Sequence, residues 1–117
     1  MKILVIEDNE IARMAIAAFL RGHEIELAST LNDGLEGLKK EPDLVITDWN
    51  LGNDTNTADI VDYCLEKGIR VVIQTGSPFA DDLDEMRSRG IEIIHKLDLR
   101  NEIKGNIENI GKSGVEC

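Results

Sequence analysis

Five short runs of the chain are rich in aliphatic and β-branched residues, and the five stretches that follow them repeat apolar residues at helical spacing. The runs are Ile3-Leu4-Val5-Ile6, Glu24 to Ala28, Leu44-Val45-Ile46-Thr47, Val71-Val72-Ile73-Gln74 and Ile91 to His95. The first, third and fourth are nearly continuous, the pattern of strands covered on both faces. In the second, Ile25 and Leu27 alternate with Glu24 and Glu26, which predicts an edge strand.

The stretches between them predict helices. Residues 10–21 carry Ile11, Met14, Ala15, Ala18 and Phe19 as the expected buried face, with Asn9 as N-cap. Residues 31–40 align Leu31, Leu35 and Leu38, and Thr30 with Asp33 resembles a capping box. Residues 58–67 offer Val61, Cys64 and Leu65 before Gly68 stops the helix. Residues 80–89 are highly charged, with Leu83 and Met86 as their apolar contacts. Residues 99–110 present Leu99, Ile103, Ile107 and Ile110, weakened by Gly105. A strand followed by a helix, five times over with short connections, predicts an α/β fold on a parallel sheet. A single domain over residues 1–117 is expected, with a frayed tail from Gly111 and no output domain.

Composition narrows the function. Aromatic residues are only 3% of the chain, so the core must be aliphatic. The formal charge of −10 repels nucleic-acid phosphates and anionic membranes, so neither is an expected partner. Two cysteines make no disulfide framework: Cys64 reads as a small buried hydrophobe and Cys117 as an exposed terminal residue. With no leader-like segment and no apolar run of spanning length, a cytoplasmic protein with reduced thiols is expected.

In open parallel sheets, ligands bind beyond the carboxyl ends of the strands. Here those ends carry Glu7 and Asp8, then Asp48, Thr75 and Lys96. Each has an ordinary explanation by itself. Asp8 or Asn9 can cap a helix, Asp48 and Thr75-Gly76 suit turns, and a lone lysine is usually solvated. Together they are more than the fold requires. Two like charges about 4 Å apart repel by roughly 4 kcal/mol at an effective dielectric near 20. A bound cation relieves that repulsion, or one carboxyl stays protonated. Carboxylate oxygens suit Mg²⁺, whereas zinc would want the histidine or thiolate ligands that are missing from this set.

These residues resemble the receiver family of two-component signalling across residues 2–110. The likeness rests on Ile3-Leu4-Val5-Ile6-Glu7-Asp8, on Pro42-Asp43-Leu44-Val45-Ile46-Thr47-Asp48, on Thr75-Gly76, on Lys96 and on the spacing between them. It implies a doubly wound, flavodoxin-like sheet of strand order 2-1-3-4-5. It also implies that Asp48 accepts a phosphoryl group from a phosphohistidine on a histidine kinase or phosphotransfer protein. By the same likeness Glu7, Asp8, Asp48 and the backbone carbonyl of Asn50 hold Mg²⁺, while Thr75 and Lys96 bind phosphoryl oxygens. Homodimers through the fourth and fifth segments are common in the family. A downstream protein target is implied, but the sequence does not name one.

The chain departs from the family pattern in places. Leu97 stands where proline usually follows the lysine, and Ile93 where many receivers carry a switching aromatic ring. Gly52 replaces a frequent proline and Asn56 a frequent glycine. A receiver that docks partners without being phosphorylated is therefore the alternative reading. A haloacid-dehalogenase-type phosphatase would want Asp-x-Asp after the first strand, where Glu7-Asp8-Asn9 stands, and the same acidic loop lacks a phosphate cradle for a flavin. Neither His23 nor His95 lies in a helical pattern that would suit a phosphorylated histidine. Trp49, beside Asp48, is expected to pack into the core and to report on the site by its fluorescence.

Overall fold

A computed structural model describes residues 1–52, 55–77, 80–104 and 107. Five parallel strands form one sheet: β1 (Lys2–Ile6), β2 (Glu24–Ala28), β3 (Leu44–Asp48), β4 (Arg70–Thr75) and β5 (Glu92–His95). Their order is β2-β1-β3-β4-β5, so the chain winds outward in both directions from β1. The helices are α1 (Glu10–Phe19), α2 (Leu31–Leu38), α3 (Ala58–Lys67) and α4 (Asp84–Ser88). A last helical segment covers residues 99–104.

Alternation along the strands divides the core into two layers. Leu4, Ile6, Val45, Val71 and Ile73 face Leu38 of α2, Ile60, Val61 and Cys64 of α3, and Met86 of α4. Ile3, Val5, Leu44, Ile46, Val72 and Ile94 face Ile16 and Leu20 at α1, with Leu99 and Ile103. The caps follow the sequence: Asn9 Oδ1 accepts the Ala12 N–H at 2.9 Å, and Thr30 Oγ1 accepts the Asp33 N–H at 3.1 Å. Gly68 ends α3 in the left-handed region at φ 70°, which a Cβ would disfavour. Burial pushes the Cys64 thiol up to about 12, which leaves it inert as a nucleophile.

Gly34 and Gly37 let α2 lie close against β1. A Cβ on Gly37 would meet Leu4 Cδ1 at 2.7 Å, and one on Gly34 would meet Ile6 Cδ1 at 2.8 Å. Both leucine and isoleucine are fully buried and have little room to yield. Overpacking costs about 1–3 kcal/mol, against a helical gain of about 1 kcal/mol for alanine over glycine. Gly37→Ala is therefore expected to lower stability by about 1 kcal/mol, measured by urea unfolding. An increase would show that α2 can retreat from β1 at no cost.

Several expected apolar faces are corrected. α1 buries Ile16, and Leu20 just after its end is buried too, whereas Ile11 is 82% and Met14 57% exposed. Alanines at 12, 15, 17 and 18 make this helix apolar almost all round, so periodicity could not choose its inward face. The rotation is fixed in part by Arg13, whose guanidinium donates to the Glu7 carbonyl at 2.8 Å. Leu65 on α3 and Leu27 on the β2 edge are exposed instead of buried. The helix expected over 80–89 is a 3₁₀ turn, Asp81–Leu83, followed by the short α4, although Leu83 and Met86 are buried as expected. Of the expected last helix, Leu99 and Ile103 are buried, while Gly105 and Ile110 lie outside the described residues. No helix among the described residues is long and apolar enough to cross a membrane.

Candidate functional site

The carboxyl ends of β1 and β3 are neighbours, because these strands pair with Ile6 opposite Thr47. Glu7 continues β1, its N–H donating to the Ala28 carbonyl at 2.9 Å, and so stands level with Asp48. Glu7 follows the inward pattern of Val5, and Asp48 that of Ile46, so both side chains belong to the face covered by α1. Asp8 follows on the exposed turn into α1. The fold thus brings one oxygen from each of Glu7, Asp8 and Asp48 within 4.8 Å of the others.

Lys96 completes the cluster from the far side of the sheet. Its ammonium donates to Glu7 Oε1 at 3.1 Å and to Asp48 Oδ2 at 2.9 Å. No cis peptide bond occurs among the described residues, and Lys96 reaches both carboxylates from the first residue of the 3₁₀ turn Lys96–Asp98. His95 supports this turn, its Nδ1 accepting the Leu97 N–H at 3.1 Å. The leucine in place of proline therefore leaves the lysine in contact with both acids.

The electrostatics are unbalanced. Burial raises the Glu7 carboxyl above the ordinary carboxylate value, and the hydrogen bond and charge of Asp48 push it the same way against the pull of Lys96. Burial alone would lower the Lys96 ammonium, but the hydrogen bonds and charges of Asp48 and Glu7 outweigh it and raise it. One ammonium faces three carboxylates, and Glu7 Oε2 is buried with no partner. An orphaned acceptor in a hard-oxygen set fits Mg²⁺. The loop backbone lies close by: a Cβ on Gly52, at φ +78°, would stand 3.6 Å from Asp8 Oδ2.

The other expected residues lie on the same rim but outside this joined cluster. Thr75 is buried at the end of β4, where its hydroxyl accepts the Ser77 N–H at 3.1 Å. Asn50 is exposed and pairs with Asn56 in an isolated bridge. That loop is tied back to β3 by Thr57, whose N–H donates to the Trp49 carbonyl at 3.0 Å and whose hydroxyl donates to the Asp48 carbonyl at 2.8 Å. Asn53 and Asp54, within it, lie outside the described residues.

Two residues of this neighbourhood had drawn no attention in the sequence. One is Gln74, the polar end of an aliphatic run. The other is Asp82, whose Oδ2 accepts the Trp49 indole N–H at 2.6 Å. Trp49 is buried as expected, and this bond joins the residue after Asp48 to the 3₁₀ turn that precedes α4. Asp82→Ala leaves the indole N–H unpaired, so a loss of about 1–2 kcal/mol and an altered Trp49 emission are expected. Unchanged fluorescence and an unchanged denaturation midpoint would mean the bond does not persist in solution.

No family model matches the sequence, and neither does any curated protein. Solved structures do match. The receiver domain of the response regulator PhyR from Erythrobacter litoralis is 25% identical, with 91% of this chain and 88% of that one covered at a TM-score of 0.72. PhyR from Brucella abortus is 29% identical over 64% of this chain and 33% of its own length, with a TM-score of 0.58. A CheY-like response regulator receiver protein from Methanospirillum hungatei is 22% identical over 96% of this chain and 97% of that one, at 0.75.

Proposed function

The chain belongs to the response-regulator receiver family, and from that premise we propose that it accepts a phosphoryl group from a phosphohistidine donor onto Asp48, with Mg²⁺. The observation that carries this reading is the meeting of Glu7, Asp8 and Asp48 at one rim, with Lys96 reaching into them. A merely structural role would not call for three acids around one lysine.

In this reading an Asp48 carboxylate oxygen attacks phosphorus in line. The new O–P bond forms as the donor's P–N bond breaks, and the imidazole nitrogen keeps the electrons of that bond. Glu7, Asp8, Asp48 and the Asn50 carbonyl would hold the metal, which when bound supplies positive charge to the phosphoryl oxygens. Lys96 leaves its bond to Asp48 for a phosphoryl oxygen, and Thr75 exchanges the Ser77 N–H for another. Catalysis of this kind is positioning and charge stabilisation, with little other chemistry for the protein to do. The product adds about 1.5 to 2 negative charges at the rim, by analogy with other phosphorylated side chains. That charge biases a conformational change or is passed on in a relay, so the protein acts as a signalling domain. Ile11 and Leu97, both strongly exposed and each close in sequence to a site residue, offer apolar contacts to a donor protein.

The test is direct. With Mg²⁺ and acetyl phosphate, or a phosphorylated histidine kinase or phosphotransfer protein, the chain should gain one phosphoryl group that hydroxylamine removes, as an acyl phosphate requires. A chain that gains none from any of these donors is not a phosphoacceptor.

A further inference from the structure

We propose that Gln74 is a positioning residue of the phosphoacceptor site, its carboxamide donating to Asp48 once Lys96 has turned to the phosphoryl group. The proposal rests on the reading of Asp48 given above.

The sequence first marks the residue as out of place. β4 runs Arg70-Val71-Val72-Ile73-Gln74-Thr75, and Gln74 is the polar residue in its buried middle, 1% exposed. The strand register then places it: Asp48 and Gln74 are direct partners across β3 and β4. Partners in a parallel ladder point to the same face, and alternation fixes which face that is. Val71 and Ile73 belong to the layer under α2 and α3, and Val72 to the layer under α1. Gln74 therefore shares the α1 face with Asp48 and Glu7. Glu7, Asp48 and Gln74 form one row across three adjacent strands, with Asp48 in the middle.

The hydrogen bonding gives the row a purpose. Among the described residues, two buried side-chain atoms lack a hydrogen-bond partner, Glu7 Oε2 and Gln74 Nε2. They are an acceptor and a donor, and they belong to the two flanks of Asp48. A buried amide without a partner is costly, and leucine would fill similar space with nothing unpaired. So the fold alone does not ask for an amide here. The carboxylate of Asp48 is the nearest acceptor that the register offers, and in this structure its Oδ2 is taken by Lys96 at 2.9 Å. When the ammonium leaves for the phosphoryl oxygens, an Asp48 oxygen is freed. A donor waiting on β4 can then fix the rotation of the carboxyl group while the other oxygen carries phosphorus. This is orientation supplied from the neighbouring strand.

The full chain with Gln74→Leu tests the assignment. The variant should fold at least as stably as wild type and bind Mg²⁺ with the same half-saturating concentration. Its phosphorylation rate at saturating acetyl phosphate should fall about tenfold. A purely structural glutamine would instead lower the unfolding midpoint and leave the saturated rate alone, which overturns the proposal. A second measurement leaves Gln74 itself unsubstituted. On adding Mg²⁺ and beryllofluoride to wild type, the side-chain amide protons of Gln74 should move downfield in a ¹⁵N-correlated NMR spectrum, and should not move in Asp48→Asn. Gln74 resonances that stay put while other site resonances shift overturn the proposal. Wild type that is phosphorylated at the same rate as Gln74→Leu refutes the Gln74 assignment alone. Wild type that takes up no phosphoryl group refutes it together with the reading beneath it.

Discussion

Lys96→Met should lower the stability of the metal-free protein by about 2–3 kcal/mol, and Mg²⁺ should restore more stability to the variant than it adds to wild type. The ammonium bonds two carboxylates at 3.1 and 2.9 Å, one wholly buried and the other 9% exposed. Removing one partner of a fully buried ion pair costs about 3–5 kcal/mol, because the remaining charge is left without compensation. The Lys96 side chain is itself 37% exposed, so part of its attraction is screened by water and the lower figure applies. Methionine keeps the apolar stem, which isolates the loss of charge from a loss of packing. For a domain of this size the loss is roughly a 10 °C fall in the thermal midpoint. The response to Mg²⁺ is the sharper measurement. A ligand that binds only the folded chain stabilises it by mass action, and it binds more tightly where no ammonium competes for the same oxygens. Equal Mg²⁺ shifts in the two proteins would mean that the cation and Lys96 do not share Glu7 and Asp48.

How far the sequence could be read depended on how unequal its competing patterns were. The strands were plain because β1, β3 and β4 are continuous aliphatic runs, and in the structure both faces of each are covered. The edge position of β2 was legible from Glu24 and Glu26. α1 was legible as a helix but not in its orientation, since its alanines leave apolar residues on every side; the sheet and Arg13 decided that Ile11 and Met14 face outward. Met86 and Leu83 were correctly placed inside, yet a charged segment with so few apolar contacts supports only a 3₁₀ turn and a short helix. At the site, the acids and the lysine were found because strand ends of an open sheet converge on one rim. Gln74 was missed because a single amide in an aliphatic run looks like a strand residue until the register sets it beside Asp48. The Asp82 bond to Trp49 was missed for a different reason. It spans 33 positions, and no local pattern could announce it.

Asp48→Asn should abolish phosphoryl uptake while leaving the fold intact, and that combination is what separates a phosphoacceptor from a docking domain. The substitution keeps the shape of the side chain and replaces the proposed nucleophile, a carboxylate, by an amide, whose oxygen is a far poorer nucleophile. A loss of at least about a thousandfold is therefore expected, more than any misplacement of neighbouring groups would give. Stability should change little, because two terms oppose each other. Removing one of three acids within 4.8 Å relieves repulsions of roughly 4 kcal/mol per close pair, and it also removes the 2.9 Å attraction to Lys96, of similar size. With Glu7 and Asp8 remaining, Mg²⁺ should bind more weakly, having lost a ligand and a charge. Trp49, the next residue along the chain, should then report no change on addition of beryllofluoride, where wild type is expected to show one. Mass spectrometry and Trp49 fluorescence read the two effects separately. If the variant binds a partner protein as wild type does, with or without a phosphodonor, and wild type itself never carries phosphate, the acidic rim is a docking surface and not a site of phosphoryl transfer.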